Sequence, residues 1–254
     1  MSRYQYDYTE NTVAQRTMYD PAGRQQKANK IIAVLQDYWG QLDQLSLLDL
    51  SCSTGMLTQA FSPVFKKVYG IDIDQKAVEF AQNNYHDDNI EFQLMDALYT
   101  RFPDNTFNVI ICNQMYEHVP DPPKLMAEIY RLLLPGGVCY FSATSRFKVI
   151  ETHYGRIPFL SYLPKPLAHR YLRVLGKGDY YYETLYTYWG LKQLVVDFEL
   201  IDYTLKVIAE PQRFHLTDML SSHSVKQQLA LVLLKTAYAF GPGYIWLLKK
   251  PLNE

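Results

Sequence analysis

Between residues 45 and 144 the sequence alternates short apolar runs with stretches of helical period. The apolar runs are LSLLDL (45–50), KVYGIDID (67–74), IEFQLMDA (90–97), FNVIICNQ (107–114) and VCYFSAT (138–144). Nearly continuous apolar runs of this length suit strands buried on both faces. Leu57, Ala60 and Phe61 make a helical stripe that Pro63 ends, and QKAVEFAQNNY (75–85) reads as the next helix. PKLMAEIYRLLL (123–134) places Leu125, Ile129, Leu132 and Leu133 on one face, and Pro135-Gly136-Gly137 is expected to stop it. The alternation predicts an α/β fold: a doubly wound, Rossmann-like, mostly parallel sheet. Such sheets bind ligands outside the carboxyl ends of their strands, so chemistry is expected where the strands end.

The flanking regions read differently. Residues 26–38 carry Ile31, Ile32 and Leu35 at helical spacing. After 145 the pattern breaks. It resumes with an expected helix at 188–198, a strand at 199–210, a helix at 224–240 and a last, antiparallel strand at 244–250. One domain is expected over 1–254: an N-terminal cap (1–25), a ligand-binding core (26–145), an aromatic-rich insert or lid after the fifth strand (146–190), and helices and strands completing the sheet (191–254). The chain has 22 tyrosines, gathered at 4–19 and 154–188. Tyrosine lines apolar sites while keeping a hydroxyl for specificity, so residues 1–20 and 146–186 are expected to cover the site as a mobile lid.

The run LALVLLKTAYAFGPGYIWLL (229–248) is long enough to span a bilayer. Lys235 interrupts it and Gly241-Pro242-Gly243 breaks any helix, so a buried helix followed by a strand is expected, with no transmembrane span. The helix is apolar nearly all round, which is compatible with a homodimer contact or with peripheral docking to a membrane carrying a lipid-linked substrate.

The net charge of −1 gives no bulk attraction to nucleic acid, and no nucleic-acid partner is expected. Cys52, Cys112 and Cys139 form no CxxC pair and read as free thiols of a cytoplasmic protein. MSRYQYDYTE has no apolar core and does not read as a signal peptide. No acidic cluster has metal-ligand spacing, so no metal is expected.

Three acids end three successive strands: Asp49, Asp72 and Asp96, 23 and 24 residues apart. A carboxylate after the second strand is placed to accept two ribose hydroxyls, while the first turn faces the polar part of a nucleotide-like ligand. With these acids in place, LLDLSCSTGMLT, VYGIDID, FQLMDALYTRFPDNTFNVIICNQMYEHVPDP and IYRLLLPGGVCYFS resemble the motif series of class I S-adenosylmethionine-dependent methyltransferases. The nearest branch in style is the small-molecule one that includes the ubiquinone and menaquinone C-methylases. The resemblance implies S-adenosyl-L-methionine as cofactor. It sets Asp49 and the turn of Ser51, Cys52, Ser53 and Gly55 against the methionine part, Asp72 on the ribose with Ile73 against the adenine, and Asp96 on the adenine amino group with Ala97 beside it. Asn113 and Gln114 would face the methionine end and the transferred methyl. Glycine is usual in this family where Ser51 and Ser53 stand. Serine adds a hydroxyl that can bond a carboxylate but tolerates close approach less well.

Two other readings use the same first strand and turn. A nicotinamide dehydrogenase wants G-x-G-x-x-G where this chain has S-C-S-T-G, and gives NQMYEHV and LLLPGG no role. A non-catalytic cofactor-binding member of the fold differs only in lacking turnover.

Methyl transfer from a sulfonium is an in-line displacement in which orientation supplies roughly 7–11 kcal/mol and a general base roughly 3–5 kcal/mol. The acceptor is expected to be a small molecule, a sugar or a lipid-linked compound. Proton handling is assigned to VIETHYGRIPF (149–159), which carries Glu151, His153 and Tyr154 directly after the fifth strand. His118, in YEHVPD, is the competing base, but is expected to open a helix behind the fourth strand and hold its loop.

Overall fold

The structure, a computed structural model, describes residues 19–218 and 220–252. Seven strands form one sheet in the order β3-β2-β1-β4-β5-β9-β8: β1 (Ser46–Asp49), β2 (Lys67–Asp72), β3 (Ile90–Leu94), β4 (Phe107–Asn113), β5 (Leu133–Thr144), β8 (Glu199–Asp202) and β9 (Gly243–Lys249). The pairs β1–β2, β1–β4, β2–β3 and β4–β5 are parallel, and β9 runs antiparallel to both β5 and β8. The strand order reverses between β1 and β4, the switch point at which ligands enter such sheets.

Strand residues alternate between two apolar layers, as the two-residue period requires. Leu48, Ile110, Cys112, Phe141 and Trp246 face a layer closed by α4 (Pro122–Leu132) and α6 (Tyr188–Leu194). Leu47, Val109, Ile111, Tyr140 and Leu247 face the other, closed by α1 (Pro21–Trp39), α2 (Met56–Gln59) and α7 (Thr204–Ala209). Beside them α3 (Gln75–Asn84) lays Val78 and Ala81 onto Cys52 and Phe92. That packing needs bare backbone. A Cβ on Gly70 would stand 2.8 Å from Phe92 and 2.9 Å from Cys52.

Three expectations are corrected. The run 199–210 is not one strand, because Asp202 takes the backbone N–H of Thr204 at 2.8 Å and turns the chain into α7. Pro135-Gly136-Gly137 does not separate helix from strand. α4 ends at Leu132, and β5 begins at Leu133 by pairing with Phe107, with the register shift of the β4–β5 ladder between Phe107 and Val109. The expected buried helix is α8 (Val225–Ala237), which buries only Gln227 and Leu234 among its residues.

The region after β5 is a folded subunit of the architecture. A two-stranded hairpin, β6 (Ile150–Glu151) with β7 (Ile157–Pro158), precedes a short 3-10 turn and α5 (Lys165–Val174). Ile157, Leu160, Ala168, Leu172 and Tyr181 form its own small core. Of the two tyrosine-rich segments, 4–18 lies outside the described residues.

Candidate active site

At the carboxyl end of β1, Asp49 is 1% exposed. Its carboxylate accepts Thr58 Oγ1 at 2.7 Å and, more weakly, the Ser51 N–H at 3.4 Å. Burial pushes its pKa up to about 6 against the pull of these donors. Asp49 therefore ties the turn to α2.

Asp72, at the end of β2, accepts the Ser53 N–H at 2.8 Å and the Asp74 N–H at 3.0 Å. Burial raises its pKa, and the backbone donors oppose the rise. A carboxylate has about four acceptor sites, so these bonds leave capacity for a ribose diol. The price of the geometry falls on Ser53, which holds φ at 51°, a region that favours glycine. Its Oγ is buried without a hydrogen-bond partner. Gly55, at φ 80°, closes the turn; a Cβ there would stand 2.7 Å from that of Ala81.

The remaining cofactor candidates sit at the same sheet edge. Asp96 follows β3 and accepts the Leu98 N–H at 2.9 Å, while Ala97 is buried in the core beside it. Ile73 is half-buried. Asn113 ends β4 opposite Ser142, and Gln114 donates its N–H to the Ser142 carbonyl at 2.8 Å. Gln114 also holds a left-handed φ of 54° and is exposed. Two strained non-glycine residues, Ser53 and Gln114, thus flank the β1–β4 switch point, and backbone strain of this kind gathers at functional sites. Cys52 differs from the others: its thiol packs against Val78, Ala81 and Phe92, so only its backbone reaches the turn. The orphaned Ser53 hydroxyl, the Asp72 carboxylate and the polar ends of β3 and β4 fit a nucleoside with an amino-acid tail.

A second cluster stands at the ends of β4 and β5. His153 Nδ1 lies 2.7 Å from Glu151 Oε1, and Lys148 Nζ lies 3.1 Å from the same oxygen. Tyr181 donates to Glu151 Oε2 at 3.1 Å, and Tyr154 donates to Glu183 at 2.8 Å. Burial raises the Glu151 pKa, but His153 and Lys148 outweigh it and hold it down near 2. Burial lowers that of His153, and the Glu151 bond with the charges of Glu183 and Glu151 carries it above its ordinary value. The phenols of Tyr154 and Tyr181 are pushed up by burial and by these carboxylates.

His118 joins this cluster and does not open a helix. It lies in the loop before Pro122, with its ring edge-on to that of His153 at 4.9 Å and Nδ1 3.8 Å from Glu183. Burial, then the charge of His153, lowers its pKa to about 3. Beside it Glu117 is 1% exposed, with both carboxylate oxygens buried and lacking a well-formed hydrogen bond. Burial pushes its pKa up to about 7. Glu117 and Glu183 carry no local motif of their own; the one sequence signal is the acid adjoining His118 in YEHVPD. Among the described residues no group of His, Cys, Asp and Glu could hold a metal ion.

Residues 48–141 match the methyltransferase domain family. A ubiquinone biosynthesis O-methyltransferase of Coxiella burnetii is 30% identical over 168 residues, covering 63% of this chain and 71% of that protein. One of the same name from Thiobacillus denitrificans is 35% identical over 103 residues, 39% of this chain and 44% of that protein. The chain therefore spans under half of the second relative's length. Among solved structures, a plantazolicin methyltransferase in complex with a monoazolic desmethylPZN analogue and SAH aligns over 96% of this chain and 88% of its own, with TM-score 0.58 and 18% identity, a likeness of fold. Family match, relatives and strand-end acids agree: the chain belongs to the class I S-adenosylmethionine-dependent methyltransferases.

Proposed function

We propose that the chain methylates a hydroxyl oxygen of a small, largely apolar acceptor, with His153 as general base. The observation that carries this reading is the Glu151–His153 pair. With Nδ1 bound to a buried, ionised carboxylate, neutral imidazole keeps its proton on Nδ1 and a lone pair on Nε2. That nitrogen can take the acceptor hydroxyl proton, and Glu151 stabilises the imidazolium formed.

The cofactor, when bound, supplies an electrophilic methyl together with its own leaving group. Asp72 would hold its ribose, Asp96 its adenine, and the Ser51–Gly55 turn its amino-acid tail. The rest of the chain positions and dries the acceptor. Tyr154 and Tyr181 stay protonated as donors, and the rings of Phe141, Tyr116 and Tyr186 form an unbroken aromatic file behind the β4 loop. That two relatives are named O-methyltransferases supports oxygen as the acceptor atom.

The test is turnover of His153→Gln and Glu151→Gln on a panel of phenols, catechols, amines and carbon acids with labelled cofactor. A base contributes about 10²–10⁴-fold. His153→Gln should lose at least about a hundredfold in kcat with cofactor affinity unchanged. Full turnover per folded molecule in that variant, or methylation confined to amines, would overturn the reading.

A further inference from the structure

Helix α8 buries Leu234 beside Gln227 and leaves an apolar stripe outside. Gln227 is turned inward, where its Nε2 donates to the carbonyls of Ile208 and Ala209 at 2.9 Å each. Val225, Leu229, Val232 and Leu233, at 73%, 58%, 58% and 64% exposure, share the outer face. Their spacing of four, three and one puts them on a single stripe. A water-facing helix has no reason to show this stripe unless something apolar covers it.

The stripe continues into an aromatic ribbon. Phe240, in the 3-10 turn after α8, meets Trp189 at 5.8 Å and Phe147 at 5.0 Å between ring centroids. Phe147 meets Tyr162 at 6.2 Å, and Tyr162 meets Phe159 at 5.8 Å. Phe159, Phe240 and Trp189 are each more than half exposed. The ribbon thus joins α8 to the segment after β5. Its place in the sheet is fixed, since Phe147 follows Thr144 and Phe240 precedes Gly243, and those two residues are paired. That is the edge at which Asp49, Asp72 and Asp96 end their strands.

Charge says what covers it. The whole chain is nearly neutral, at −1. Yet residues 152–178 contain no acid and carry the exposed Arg156, Arg170, Arg173 and Lys177, and residues 220–248 contain no acid and carry the exposed Lys226 and Lys235. Asp202, which the 3-10 turn touches through Tyr238, is engaged by the donors of Tyr238, Trp246 and Thr204. Two copies meeting on this face would bring cations against cations with no acid from these segments to offset them. An anionic bilayer matches both features, because it accepts an apolar helix face and aromatic rings at headgroup depth and attracts flanking Lys and Arg.

We propose that α8 and the Phe159–Trp189 ribbon form a docking surface for an anionic phospholipid bilayer, which brings the mouth of the site to the membrane interface. The proposal concerns the surface and stands independently of the acceptor chemistry above.

The test uses the whole chain with vesicles of phosphatidylcholine alone and of phosphatidylcholine with about a third phosphatidylglycerol. Co-sedimentation should be at least about tenfold stronger with the anionic vesicles and should fall as salt rises. Trp189 emission should shift to the blue on those vesicles, and Trp189→Phe should remove most of that shift. The double variant Leu229→Glu/Leu233→Glu should keep the wild-type circular dichroism and melting temperature and lose vesicle binding. Equal or no binding to both vesicle types would overturn the proposal. So would a dimer in sedimentation velocity that the double variant dissolves, since a second copy would then cover the face.

Discussion

The backbone N–H of Ser53 donates to the Asp72 carboxylate at 2.8 Å from a residue held at φ 51°. One bond therefore joins the turn after β1 to the acid after β2, and a non-glycine residue keeps the strain. Ser53→Gly should relieve about 1 kcal/mol of left-handed cost and remove a buried hydroxyl without a partner. We expect a higher melting temperature and a weaker cofactor, because the hydroxyl that idles in the free protein then has no ligand role to play. Calorimetry checks both halves; stronger cofactor binding would show that the hydroxyl contributes nothing there.

Asp72→Asn should weaken cofactor binding by at least tenfold. Two effects combine: a charge-assisted bond to the ribose is worth roughly 1.5–3 kcal/mol, and the amide keeps one acceptor oxygen where the carboxylate serves the N–H groups of both Ser53 and Asp74. A modest fall in melting temperature should accompany the loss, because Asp72 also ties the two turns together. Unchanged affinity in calorimetry would remove the ribose assignment.

The pH dependence of turnover tests the base. His153 has a raised pKa, so kcat/KM should climb with pH through a value above about 6.5. Glu151→Gln removes the carboxylate that raises it, and the climb should move to lower pH. Stability moves with its own sign. The Glu151 contribution is present above about 4.5 and fades as pH falls toward 2, whereas that of His153 is present below about 6.5 and fades as pH rises through its folded value. Urea unfolding of wild type and His153→Gln should therefore differ most between about pH 4.5 and 6.5.

Glu117→Gln should stabilise the protein in alkaline solution. A carboxyl raised from 4.5 to about 7 costs the fold about 3 kcal/mol once ionised. That cost grows as pH rises from the lower value to the higher, and the amide escapes it. Denaturant midpoints at acid and alkaline pH check this; an equal effect at both would mean that ionisation of Glu117 is not the cause.

Gly70→Ala should destabilise by about 1–3 kcal/mol, because Phe92 and Cys52 already stand where the methyl would go. Phe92→Leu in the same chain should recover part of the loss. Additive destabilisation by the pair, measured by chemical unfolding, would show that Phe92 is not the obstruction.

Much of this was legible beforehand, and the boundary has physical causes. Asp49, Asp72 and Asp96 could be placed because buried parallel strands are short and continuous, and their ends are forced to the edge of the sheet. The break at Asp202 was hidden: its turn depends on a side chain capping Thr204, while the apolar residues on either side continue a strand-like pattern. Helix α8 misled because apolarity reports a wish for cover, not the identity of what covers it. His118, Glu117 and Glu183 come together only through the path of residues 146–187. Thr184 donates to the Glu117 carbonyl and Tyr186 to the Tyr116 hydroxyl, contacts across a separation in sequence that no local pattern records.

The reversed strand β9 has a consequence for the order in which the molecule assembles. It is the last in sequence of the described strands, yet it stands inside the sheet, with β5 on one side and β8 on the other. During synthesis the parallel half, β1 to β5, is complete while β5 still offers an open edge, and β8 has no strand to join it to the rest. Only when Gly243–Lys249 leaves the ribosome can that gap close. Long-range pairing of this kind is slow and leaves an adhesive edge bare while it waits. The nascent chain should therefore be most prone to aggregate, and most dependent on a chaperone, in the interval between the emergence of Thr144 and that of Lys249.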